Sequence, residues 1–112
     1  MRRGILVPLA ALILLSSLTF SQPRLSVIEF SIMPLEFKVG ERATVYFVVE
    51  NSGTTTLTGA EARLILPPGL KLESGQFLTA YLGTIPPHES REASWIIIAE
   101  KEGEHMVKVR VT

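Results

Sequence analysis

Cysteine and aspartate are both absent from this chain of 112 residues, and asparagine occurs once, as Asn51. Without cysteine there is no disulfide framework, no thiol nucleophile, no thiolate zinc site and no lipidated cysteine anchor. Without aspartate there is no Asp-rich calcium loop and no triad or dyad built on aspartate. An excess of either charge is missing too: eleven Lys plus Arg offset eleven Glu, for a formal net charge of +0. That balance leaves no electrostatic footprint for nucleic acid. Glutamate as the sole acid, with one Asn and two Gln, is the thermolabile-poor profile of thermophile proteins. Asn51-Ser52-Gly53 is not a glycosylation sequon, because Gly53 stands where Ser or Thr is required.

What is present begins with an N-terminal leader. Arg2 and Arg3 form a basic start, Ile5 to Leu15 an apolar run, and Ser16 to Ser21 a polar stretch with Thr19 and Ser21 as small residues. This is the layout of a secretory signal peptide over residues 1–21, cleaved after Ser21 to leave a domain over 22–112. A retained membrane anchor is a second reading, although the run is shorter than the roughly 20 residues of a span and contains Pro8. Processing after Gly4, in the manner of archaeal pilin precursors, is a third, carried by Arg3-Gly4-Ile5-Leu6. All three place the remainder outside the cytoplasm, and a membrane is a partner only if the segment is retained.

Beyond Leu25 the pattern is that of strands. Arg42–Glu50 alternates, with Ala43, Val45, Phe47 and Val49 on one side. Thr58–Leu66 turns Ala60, Ala62, Leu64 and Leu66 inward, and Arg91–Glu100 turns Ala93, Trp95, Ile97 and Ala99 inward. Glu104–Thr112 sets His105, Val107, Val109 and Val111 inward. Shorter strands are expected at Leu25–Ile32, Leu35–Val39, Leu70–Leu72 and Leu78–Ile85, with Met33-Pro34 marking a crossing from one sheet to the other. Turn residues such as Pro67-Pro68-Gly69 and Pro86-Pro87-His88 separate them. Strands at this spacing predict an all-β sandwich of about seven strands, one module without repeats. Trp95 is its expected anchor, worth up to ~5 kcal/mol if ~200 Å² is buried.

The motifs also resemble a family. Val48-Val49-Glu50-Asn51-Ser52-Gly53 with Leu57-Thr58-Gly59-Ala60 is similar to the opening of CARDB-type and NPCBM-associated domains of bacterial and archaeal surface proteins. Leu66-Pro67-Pro68-Gly69-Leu70, Glu73-Ser74-Gly75 and Leu82-Gly83-Thr84-Ile85-Pro86-Pro87-His88-Glu89-Ser90 resemble later segments, with His88 where those domains usually carry Gly. The resemblance covers about Leu25 to Thr112. It implies an immunoglobulin-like sandwich in an extracytoplasmic protein and is nearly silent on function.

Candidate chemistry is thin. His88 and His105, with Met33 and Met106, lack the Cys of a cupredoxin-type copper centre, so no metal or cofactor is expected. Ser74, Ser90 and Ser94 have no nucleophile-elbow context. Ser90 beside His88 and Glu89 is a triad only on paper, since adjacent loop residues rarely orient one another. Glu100, Glu102 and Glu104 surround a Gly103 turn and read as solvated charge. No catalytic residues are assigned, and no enzyme is expected.

The outer faces are more informative. Ile65, Ile96, Ile98 and Met106 have the opposite parity to the core residues of their strands, and they are expected to form one patch on one sheet. Arg63, Lys108 and Arg110 would rim it. Tyr46, Val48 and Tyr81 are expected on the opposite sheet, where the two tyrosines would stack on a sugar ring if they are neighbours. The leading expectation is a non-catalytic surface module for protein–protein contact or self-association. The alternatives are a carbohydrate-binding module and an anchored component of a surface filament or secretion system.

Overall fold

The computed structural model describes residues 25–112 together with Ile5–Leu6. The fate of the leader over residues 1–21 therefore lies almost entirely outside the described residues. In chain order the strands are β1 (Ile5–Leu6), β2 (Leu25–Met33), β3 (Glu36–Phe37), β4 (Arg42–Asn51), β5 (Leu57–Ile65), β6 (Leu70–Leu72), β7 (Thr79–Ile85), β8 (Ser90–Ala99) and β9 (Lys108–Val111). Seven of them build two antiparallel sheets, ordered β2-β4-β8-β6 and β7-β5-β9, and β1 pairs with β3. The described chain is all-β and sandwich-like.

Alternation produces this arrangement. A strand sends successive side chains to opposite faces, and the buried residues of β4 are Ala43, Val45, Phe47 and Val49, as the pattern predicts. In β8, Ala93, Trp95, Ile97 and Ala99 are buried. Ala60, Ala62 and Leu64 of β5 and Val107, Val109 and Val111 at the C-terminus meet them from the other sheet. Trp95 retains 2% of its surface and Phe47 1%. Phe30 of β2 packs edge-on against Phe47, with ring centroids 5.9 Å apart and planes at 79°, a favoured aromatic geometry.

Three details depart from the pattern. The chain does not cross between sheets at Met33-Pro34: β3 joins β1 rather than the β7-β5-β9 sheet. It stays at two residues because the chain turns back at once, Glu41 N donating to Lys38 O at 2.9 Å through Gly40 at φ 90. The last strand begins at Lys108 rather than Glu104. There His105 Nε2 lies 2.7 Å from Lys101 O, which holds the entry to β9 in a loop. Finally, the strand order differs from the constant-type immunoglobulin arrangement. With the seven strands counted in order, the sixth rather than the fifth lies beside the second.

One polar side chain is built into the frame. Asn51 is fully buried, and its Nδ2 donates to Thr55 O at 2.8 Å and Ile85 O at 2.9 Å. Its Oδ1 accepts from Gly53 N at 2.9 Å, and its backbone carbonyl from His88 N at 2.7 Å. The turn after β4 is thereby tied to the end of β7, and no part of the amide is left unpaired. His88 itself has φ 68, a left-handed conformation that favours Gly.

Candidate functional site

The outer face of the four-stranded sheet carries Ile96 and Ile98, but not the patch expected there. β8 lies between β4 and β6, with Ile96 in register with Thr44 and Ile98 with Arg42 and Lys71. Ile65 belongs to β5 and Met106 leads into β9, both of the other sheet. The four-residue patch therefore does not form: Ile65 lies on the opposite side of the module from Ile96 and Ile98, and Met106 is partly buried against the core. The sequence pattern fixes which face a side chain takes within a strand and does not determine which strands are neighbours.

Ile96 and Ile98 are also partly covered by the chain itself. Glu73 N donates to Ile96 O at 2.9 Å, so Glu73 flanks β8 on one side while Arg42 flanks it on the other. The Arg42 guanidinium pairs with the Glu73 carboxylate, which carries the ion pair across the outer side of β8. Gln76 Oε1 accepts the Ile96 N–H at 2.9 Å and closes the sheet edge beyond β6. Both isoleucines are half-buried.

Farther along the same face, Tyr46 donates its phenolic proton to Glu92. Val48 is in register with Glu29 on one side and Glu92 on the other, and Glu50 with Ser26 and Ser90. Tyr46, Val48, Ser90, Arg91 and Glu92 line a shallow depression here. The hydrogen bond to Glu92 raises the Tyr46 phenol above its ordinary value of 10.0, helped by desolvation and by the negative charges of Glu92 and Glu29. Arg91 turns to the end of the sheet, where it donates to Thr84 O and Ser90 O, both at 2.8 Å.

Tyr81 is on β7 of the other sheet, in register with Glu61. It is not a neighbour of Tyr46, so the two-tyrosine sugar platform does not form. Tyr81 is 72% exposed, and around it the three-stranded sheet presents a surface of a different kind. Arg63 stands directly opposite Arg110, and Ile65 opposite Lys108. Like charges side by side on neighbouring strands are unfavourable, and among the described residues none of these three cations has a carboxylate in ion-pair range. Arg63 donates to Thr79 Oγ1 at 3.0 Å. Phe77 is 81% exposed just before β7, at the Ile65 end of this sheet, since Leu64 N donates to Leu78 O at 2.9 Å. Strand alternation does not reach Phe77, which precedes β7. An aromatic between turn residues and the next strand is the signal that marks it.

The remaining sequence candidates occupy structural positions. His105 packs its ring on Gly69, where an added Cβ would meet His105 Cε1 at 2.5 Å. His88 and Glu89 form the turn before β8, with Glu89 N donating to Pro86 O at 3.1 Å and Glu89 paired with Arg91 at 3.4 Å. Glu100 pairs with Lys71 at 3.6 Å. Among the described residues, no group of three or more His, Cys, Asp or Glu is arranged to hold a metal ion, and no helix is long and apolar enough to cross a membrane. Comparison with known proteins finds no matching family model and no matching curated sequence.

Proposed function

We propose that this chain is a non-catalytic, sandwich-like surface module that works by protein–protein contact. The contact surface is the outer face of the three-stranded sheet. The observation that carries the reading is the composition of that face: Tyr81 and Phe77 largely exposed, beside Arg63 and Arg110. Aromatic side chains and arginine are the residue types enriched at protein interfaces. Tyr and Arg are also prominent among the few residues that carry most of the binding energy. Exposed aromatics of this size gain by being covered, whereas Ile96 and Ile98 are already half-buried within a single copy. The secretory layout of residues 1–21 and the resemblance to CARDB-type domains support an extracytoplasmic setting.

Chemical crosslinking in the native host tests this. The unaltered chain is expected to give discrete protein adducts that are lost in Phe77→Ser/Tyr81→Ser. Adducts of equal yield from that variant would contradict the assignment of the face.

A further inference from the structure

The two outer faces of the module carry opposite charge. On the three-stranded sheet, Arg63, Arg110 and Lys108 surround Ile65, with Glu61 the one acid, at the Tyr81 end. On the four-stranded sheet, Glu29, Glu92 and Glu50 surround Val48, with exposed Ile28 and half-buried Tyr46 beside them. The cations of that second sheet are engaged elsewhere: Arg42 on Glu73, Lys71 on Glu100, and Arg91 on Glu89.

We infer that the partner of the three-stranded face is a second copy of this chain, which docks through its Glu29–Glu50–Glu92 face. The proposal rests on the contact reading above and specifies its occupant.

Dimensions favour the match. Adjacent strands lie ~4.8 Å apart, and alternate residues along a strand ~7 Å apart. Arg63 and Arg110 are therefore adjacent, with Lys108 one step of the pleat away. Glu29 and Glu92 are ~10 Å apart across Val48, with Glu50 one step along. Both triads fit within the reach of flexible Arg and Lys side chains, and each has an apolar centre, Ile65 on one face and Val48 on the other. Tyr81 and Phe77 supply the large apolar area, with Ile28 and Tyr46 available to receive it. Seating one face on the other also gives Arg63 and Arg110 carboxylate partners, which no ion pair among the described residues of a single copy supplies.

The two faces point away from each other, because their sheets pack through their inner sides. The contact is thus heterologous, and unless its rotation closes a ring it propagates into an open stack. A patch of this size is small for a stable interface. Each contact is therefore weak, steered by charge and sensitive to salt.

Sedimentation of the full chain in non-ionic detergent, which keeps the apolar run Ile5–Leu15 from driving association, is the test. Two variants reverse one face each: Arg63→Glu/Arg110→Glu and Glu29→Lys/Glu50→Lys. The unaltered chain is expected to assemble at low salt and to dissociate as salt is raised. Each variant alone should associate at least about tenfold more weakly, and an equimolar mixture of the two should assemble again, which also shows that both are folded. Association that ignores both reversals, a mixture that stays dissociated, or an unaltered chain that never associates would overturn the stacking. If crosslinks sensitive to Phe77 and Tyr81 still join the chain to other proteins, only the choice of partner has failed. If those crosslinks fail as well, so has the contact reading.

Discussion

The outer faces of the two sheets differ in how far the chain satisfies them by itself. On the four-stranded sheet, the Arg42–Glu73 pair spans β8, Tyr46 donates to Glu92, and Gln76 closes the open edge at Ile96. On the three-stranded sheet, two arginines stand side by side and two aromatic rings face solvent. Apolar content alone does not separate these faces, since Ile96, Ile98 and Ile65 are all half-buried. Intramolecular cover does. A β-branched residue under an ion pair is part of the module's stability, while an uncovered tyrosine beside arginines that lack a carboxylate partner remains available to something else.

The core shared by both sheets sets the scale for breaking this contrast. Trp95→Ala is expected to cost ~3–5 kcal/mol, the usual range for removing a large buried aromatic, measured by denaturant unfolding. Ile96→Lys combined with Ile98→Glu comes next, at ~2–3 kcal/mol, because it places charges under the Arg42–Glu73 pair. A change below about 0.5 kcal/mol would mean that these side chains are surface in energy as well as position, and the contrast would collapse.

The Tyr46–Glu92 bond sharpens the comparison without moving bulk stability. The folded protein holds the Tyr46 phenol above its ordinary 10.0, chiefly through that hydrogen bond. The neutral form is the favoured one, so the contribution to stability is complete below the unfolded value of about 10 and fades as pH rises through the raised folded value. Phenolate absorbance in a Tyr81→Phe background should give a midpoint above 10.0, and Glu92→Gln should lower it. A midpoint unmoved by Glu92→Gln would remove the bond from the account.

The smallest effect belongs to the other sheet. Phe77→Ser with Tyr81→Ser should leave stability within about 0.5 kcal/mol, as for surface substitutions away from packed features. A loss comparable to that of the isoleucine pair would show that these aromatics serve the fold.

The sequence made the strands and the core legible, because alternation is local: Val45, Phe47, Trp95, Ile97 and Val109 are buried as their parity requires. It did not make the faces legible. Whether β8 lies beside β5 or between β4 and β6 depends on contacts far apart in the chain, and that choice separated Ile65 from Ile96 and Tyr46 from Tyr81. Nothing in the local pattern around Asn51 marks it for burial. Its burial follows from carbonyls at Thr55 and Ile85, one of them 34 residues away. Arg42–Glu73 was likewise beyond local reading, since its partners are 31 residues apart.

The most direct test of the difference between the faces places the same photo-crosslinking amino acid at Tyr81 in one variant and at Ile96 in another, in the full chain in its host. Protein adducts from position 81 and none from position 96, which lies at the Arg42–Glu73 end of its face and away from Glu29, Glu50 and Glu92, are expected. Adducts from position 96 with none from 81 would contradict the account at its centre.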